Sequence, residues 1–128
     1  MKKKITLFLA GMLSLFSADL AHAQQPGKIF RIGFLNSSTA SGMAVLIDAF
    51  RQELSKLGWI EGKNVTIEYR FAEGKNDRLP ELAADLVRLK VDIIVASAST
   101  SVSAAKRATN LIPIVMTNVG DPVGAGLV

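Results

Sequence analysis

Apolar residues fall along this chain in four strand-like patterns and three helix-like ones. FRIGFL (residues 30–35), VDIIVA (91–96) and IPIVM (112–116) are short, nearly continuous apolar runs, the pattern of strands covered on both faces within a parallel sheet. Over residues 65–71, Val65, Ile67, Tyr69 and Phe71 alternate instead with Thr66, Glu68 and Arg70, which predicts a half-exposed strand at a sheet edge. Between these runs the period changes. Met43, Leu46, Ile47, Phe50, Leu54 and Leu57 share one helical face opposite Arg51, Gln52, Glu53 and Lys56, and Gly58 stands where a C-terminal cap belongs. Leu79, Leu82, Ala83, Leu86 and Leu89 repeat the pattern, with Asp77 as the predicted N-cap and Pro80 in the first turn. A third helix, over about residues 101–109, buries only Val102, Ala104, Ala105 and Ala108 and can lie close on the sheet.

The resulting order, β-α-β-α-β-α-β with an edge-like second strand, predicts an α/β doubly wound parallel sheet of strand order 2-1-3-4. The tail from Gly120 to Val128 begins a turn and no fifth strand follows, so the pattern reads as a lobe cut off in mid-fold. In an open sheet of this kind, ligands bind outside the carboxyl ends of the strands where the order reverses, here between the first and third strands. Three loops meet that region: Asn36-Ser37-Ser38-Thr39, Ser97-Ala98-Ser99-Thr100, and Thr117-Asn118 running on to Asp121. All are rich in small hydroxyl and amide side chains. The first two also open helices, whose free N–H groups suit a carboxylate or phosphate at about 0.3–1 kcal/mol from the dipole alone. Ser38, Ser99 and Thr100 serve equally well as N-caps, and Asp121 before Pro122 fits a cap followed by proline at the first helical position. Trp59 packs locally after Gly58 in this reading, and Phe30, Phe34 and Phe50 belong to the core.

With 128 residues, 49% hydrophobic and 20% charged, the chain can bury a core and forms at most one domain. Residues 1–23 stand apart. Lys2, Lys3 and Lys4 precede an apolar stretch from Ile5 to Phe16 and the small-residue site Ala21-His22-Ala23, the three parts of a secretory signal peptide with cleavage expected after Ala23 and a periplasmic destination. From Gln24 on, 12 Lys and Arg face 10 Asp and Glu, so nothing resembles a nucleic-acid-binding stripe, and no nucleic-acid partner is expected. The chain contains no Cys, and its single His, His22, lies in the signal segment. Cys nucleophiles, Ser-His-Asp triads, His general bases and Cys/His zinc sites are therefore excluded after cleavage and no cofactor or metal is expected, while an enzyme using Asp, Glu, Lys or Ser stays open on the residues alone. Gly58 to Lys63 fails as a phosphate loop, with three residues between its glycines and a strand after it.

The stretches "AFRQELSKLGWIEGKNVTIEYRFAEGKNDRLPELAADLVRLKVDIIVA", "AAKRAT", "IPIVM" and "VGDPVGAGLV" resemble the opening half of the first lobe of bacterial ABC-transporter substrate-binding proteins, in the branch that includes tryptophan-type amino-acid binding proteins. The resemblance runs from about Lys28 to Val128. It implies that residues 24–128 are part of the N-terminal lobe of a two-lobed solute-binding protein. Such a protein captures a small organic solute, an amino acid by this resemblance, and delivers it to ABC permease subunits in the membrane without catalysis. Carried onto this chain, the first-lobe site comprises Asn36, Ser37, Ser99, Thr100 and Asn118 as hydrogen-bonding groups. The family commonly opens the helix after the third strand with proline, where this chain reads Ser99-Thr100-Ser101-Val102. Two other readings remain open from the residues: a secreted flavodoxin-like electron carrier, suggested by the run Ser37-Ser38-Thr39-Ala40-Ser41, and a secreted hydrolase using Ser or a carboxylate.

Overall fold

The computed structural model describes residues 27–128; the signal peptide read at residues 1–23 lies outside the described residues. Along the chain run β1 (Phe30–Asn36), α1 (Ala40–Lys56), β2 (Val65–Phe71), a 3-10 turn (Asn76–Arg78) leading into α2 (Leu79–Arg88), β3 (Ile93–Ser97), α3 (Ser99–Ala108) and β4 (Ile114–Thr117). The four strands form one parallel sheet in the order β2-β1-β3-β4, as the strand patterns predict. Because the chain reverses direction across the sheet after β2, its crossovers place α1 on one face and α2 with α3 on the other. Two apolar clusters follow from that division. Ile32, Phe34, Val65, Ile67 and Val95 pack with Met43 and Ile47 of α1. Leu35, Ile94 and Ala96 pack with Leu79, Ala83 and Leu86 of α2 and with Val102, Ala104 and Ala105 of α3.

The small face of α3 fits closely, as expected, and β1 makes its own allowance for α2. At Gly33 an added Cβ would stand 3.0 and 3.1 Å from the two δ-carbons of Leu86 and 3.2 Å from Cγ2 of Val91. Glycine there lets the helix approach the strand. At the end of α1, the Gly58 N–H donates to the Ser55 carbonyl at 3.0 Å and the Trp59 N–H to the Leu54 carbonyl at 2.9 Å, with Gly58 at φ 89°. This is the glycine-ended helix stop that the sequence implied. Trp59 then packs on Phe30 with ring centroids 5.7 Å apart, a local contact as anticipated.

Several expectations need correction. Leu46 and Leu57, placed on the buried face of α1 by periodicity, are 59% and 76% exposed. A single helix lies on this face of the sheet, over β1 and β2, so only its central stripe meets other side chains. Asp77 does not cap α2: it lies inside the 3-10 turn, Arg78 takes the cap position, and no side chain bonds the free amides there. The turn satisfies one donor itself, since the Arg78 N–H donates to the Lys75 carbonyl at 3.0 Å. Ser38 is not the cap of α1 either; Thr39 is, its Oγ1 accepting from the Gly42 N–H at 3.0 Å. Ser99 and Thr100 are the first two residues within α3 rather than caps, so that helix starts two residues earlier than the apolar period indicated. Strands β3 and β4 begin at Ile93 and Ile114, each two residues later than their apolar runs, because β3 is fixed by pairing with β1 from Ile32 and with β4 from Ile114. Asp121 does hold the turn after it, Oδ1 accepting from the Gly124 N–H at 2.9 Å, but no regular helix follows.

Candidate functional site

Parallel pairing brings the last residues of three strands into one row. Asn36 ends β1 opposite Ser97 of β3, and Ser97 stands opposite Thr117 of β4. Asn36 and Ser97 are each only 4% exposed, whereas Thr117 and Asn118 are exposed beside them. The row therefore offers one amide and two hydroxyls, with no ionisable group among them. Pleat alternation explains its composition: these side chains lie just past the apolar residues Leu35, Ala96 and Met116, where each strand leaves the core.

The loop after β1 is fixed by hydrogen bonds to its neighbour. Asn36 Oδ1 accepts from the Ser38 N–H at 2.6 Å, closing an Asx turn. The carbonyls of Asn36, Ser37 and Ser38 accept from the N–H groups of Ala72, Gly74 and Glu73 at 2.9, 2.7 and 3.1 Å. Ser37 and Ser38 are thus latched through their backbones, which leaves the Ser37 side chain half-buried at the rim.

The loop after β3 is tighter. Ala98 alone joins β3 to α3, with φ 70° and ψ 153°, a conformation that belongs essentially to glycine. Its N–H donates to the Thr117 carbonyl at 3.0 Å, and its own carbonyl receives the Val102 N–H at 3.1 Å, the first bond of α3. Its methyl cannot cap, so the first-turn amides of α3 have no side-chain acceptor, in contrast to those of α1. Asn118 also has positive φ, at 53°, and turns the chain away from β4.

The five residues singled out in the sequence do not share one cavity. Ser99 and Thr100 border a hollow of about 350 Å³ on the α2 and α3 side, with Asn76, Pro80 and Arg107. Asn118 borders a groove of about 450 Å³ on the α1 side, with Ser97, Thr117, Phe34, Met43 and Phe50. Asn36 and Ser37 line neither of these two hollows. The sequence marks the two loops that begin at Ser97 and Thr117 without singling out those two residues; their place as final strand residues beside Asn36 was the available signal. Nothing in the sequence marks the strained Ala98.

The ion pairs lie elsewhere and brace the lobe. Arg70 donates to Asp85 at 2.6 Å, and Arg88 approaches the same carboxylate at 3.3 Å; these two guanidinium groups, Arg70 foremost, hold Asp85 below its usual pKa. Asp92 is lowered likewise by the Lys28 ammonium at 2.6 Å and by the Arg31 N–H at 2.8 Å. At the edge of β2, burial raises the Tyr69 hydroxyl above its ordinary pKa, while the side chain accepts from Arg51 at 3.1 Å.

The family model for ABC transporter substrate binding proteins matches residues 35–128. The chain belongs to that family. It is 39% identical over 79 residues to a tyrosine-binding protein of Clostridioides difficile (strain R20291), a match covering 62% of this chain and 23% of the relative. Among solved structures it resembles the ligand-free, open form of a substrate-binding protein with adhesive properties from Clostridium difficile, at 32% identity and TM-score 0.72 over 78% of this chain. It also resembles a conserved domain protein from Vibrio cholerae, at 31% identity and TM-score 0.73 over 79% of this chain. A Streptococcus pneumonia domain solved with L-Trp shares the fold, with TM-score 0.70 at 24% identity over 77% of this chain. The substrate-binding-protein chain spans about a third of the first two structures, 34% of each, and 33% of the third.

Proposed function

We propose that this chain forms the opening part of the first lobe of an extracytoplasmic, two-lobed solute-binding protein of an ABC importer. In this role it captures an amino acid between the lobes and presents it to membrane permease subunits, with no chemical step of its own. The observation that carries the reading is the neutral row Asn36, Ser97 and Thr117 at the carboxyl ends of the strands, beside the uncapped start of α3, in a chain of this family.

The chemistry suits a zwitterion. First-turn amides of α3, with Ser99 and Thr100 on their side of the sheet, favour a carboxylate, and Asn36, Ser37 and Asn118 add neutral donors and acceptors at the sheet end and on its other side. The row of Asn36, Ser97 and Thr117 carries no fixed charge and does not oppose the ligand's ammonium group. Tyrosine is the first ligand to test, because the Clostridioides difficile relative is named for binding it. The export signal read in residues 1–23 supports a periplasmic location. Ligand held by both lobes would favour the closed form by its difference in affinity between closed and open states, and closure is what a permease can recognise.

Thermal-shift titration of the two-lobed protein against tyrosine, the other amino acids and simple sugars tests the proposal. A ligand at a hundred times its Kd should stabilise the folded state by about 2.7 kcal/mol. Ser99→Ala and Asn118→Ala should weaken that response while leaving the unliganded melting curve near its starting point. If no amino acid stabilises the protein, amino-acid capture is wrong.

A further inference from the structure

Five of the ten exposed large apolar side chains among the described residues gather at the end of the sheet opposite the candidate site. Ile29, Leu57, Trp59, Ile60 and Leu111 are between 41% and 92% exposed. They flank the amino ends of β1 and β4 and the connection from α1 to β2. Trp59 is presented on a rigid base there. Its backbone closes the end of α1, its ring packs on Phe30, and it borders a hollow of about 270 Å³ with Leu54, Ile60 and Ile67.

Charge divides along the same axis. The segments at this end, residues 27–31, 56–64, 88–92 and 109–113, carry Lys28, Arg31, Lys56, Lys63, Arg88 and Lys90 against Glu61 and Asp92. The other residues from Gln24 onward carry six Lys and Arg against eight Asp and Glu. The apolar end is therefore the more basic one, although Lys56 and Arg88 there pair with Glu53 and Asp85 at 2.8 and 3.3 Å. The chain also enters the lobe at this end: residues 17–26 connect Gly27 to the apolar stretch Ile5 to Phe16. Ten residues reach at most about 35 Å when fully extended. Until the cleavage expected after Ala23, while that apolar stretch occupies a bilayer, this end of the lobe cannot stand farther from the membrane than the linker allows.

We propose that the amino-end surface of the sheet rests on an anionic phospholipid bilayer, with Trp59 and Ile60 in the interfacial layer and Lys56, Lys63 and Lys90 facing the headgroups. An indole anchored beside aliphatic side chains suits the boundary between headgroups and acyl chains, and three nearby lysines suit its negative potential. This contact leaves the row of Asn36, Ser97 and Thr117 directed away from the lipid, so it describes the lobe when no permease is engaged.

Trp59 is the only tryptophan, so its emission reports on this surface alone. The full 128-residue chain is mixed with vesicles of phosphatidylglycerol and phosphatidylcholine, with vesicles of phosphatidylcholine only, and with matching vesicles bearing brominated acyl chains. The expected result is a blue shift and bromine quenching on the anionic vesicles, both reduced by high salt. K56Q/K63Q/K90Q, which leaves the Lys28 and Asp92 pair intact, should weaken partition roughly tenfold or more, as befits three lysines at an anionic surface. Its far-UV circular dichroism should be unchanged. Absence of quenching while the chain co-sediments with vesicles overturns the proposal. Equal quenching on neutral vesicles, unaffected by the lysine variant, also overturns it, because the N-terminal segment alone would then be the anchor. So does a blue shift without vesicles that grows with protein concentration, which would make a second copy the occupant.

Discussion

Replacing Ala98 by glycine should make the protein more stable, an outcome opposite to that of most substitutions. Ala98 is held at φ 70° and ψ 153° by bonds on both sides: its N–H to Thr117, and its carbonyl to Val102 at the start of α3. An L side chain in this region of conformational space costs about 1–3 kcal/mol, because its Cβ crowds the adjoining backbone. Glycine relieves that crowding, but its freer unfolded chain gives back about 0.5–1 kcal/mol. The loss of one methyl from a half-buried position is small beside these terms. The expected net effect is a gain of about 1 kcal/mol, equivalent to a rise in Tm of about 4–8 °C for a domain near this size. Urea or thermal unfolding followed by far-UV circular dichroism measures it, and Ala98→Val should shift stability in the opposite direction. Loss of stability in Ala98→Gly would refute the reasoning, showing that the β3-to-α3 junction is not strained. Equal stability of the glycine and valine variants would do the same.

Three further outcomes follow from the packing and the charges. Leu86→Ala, which empties a fully enclosed site between α2 and β1, should destabilise by about 2–5 kcal/mol in chemical denaturation; a loss below 1 kcal/mol would mean that α2 does not hold the sheet as described. Ser101 Oγ is enclosed without a hydrogen-bond partner, so Ser101→Ala should stabilise by about 1 kcal/mol, and a measured loss would reveal a bond to that hydroxyl. Asp85 and Asp92 have pKa values lowered by their cations, so their contribution is complete above the ordinary carboxylate value of 3.8 and disappears as pH falls through their lower folded values. Melting curves from pH 7 to pH 2 should therefore lose Tm chiefly below about pH 4, and Asp92→Asn should flatten the decline; an unchanged slope in that variant would remove Lys28 and Arg31 from the explanation.

Binary pattern and punctuation made most of the fold legible. The alternation of residues 65–71 marked an edge strand and gave its limits as well; burial alternates from Val65 to Glu68, and the rest of the strand is half-buried. Gly58 located the end of α1 because only a residue tolerant of positive φ fits there cheaply. The boundaries of β3 and β4 were less legible. An apolar run records burial, and Val91 and Ile112 open their runs ahead of the first paired residue of each strand. Helix starts failed for a related reason: Ser, Thr and Asp can cap, but which one does so depends on where neighbouring strands leave the chain.

The sequence by itself determined the strand and helix order, the parallel sheet, the absence of Cys and the polarity of the three loops that follow β1, β3 and β4. These properties reside in spacing and composition, which act locally along the chain. Tertiary structure alone decided that Asn36, Ser97 and Thr117 form one row, that Ser99 and Thr100 open onto a different face from Asn118, and that Ala98 bears the strain of the junction. Those results depend on the registers of strands distant in sequence and on the face to which each crossover carries its helix. It also collected Ile29, Leu57, Trp59, Ile60 and Leu111 at one end of the sheet, although they are scattered over more than eighty residues of chain. Parallel strands all begin at the same end, so the segments that precede them must meet there.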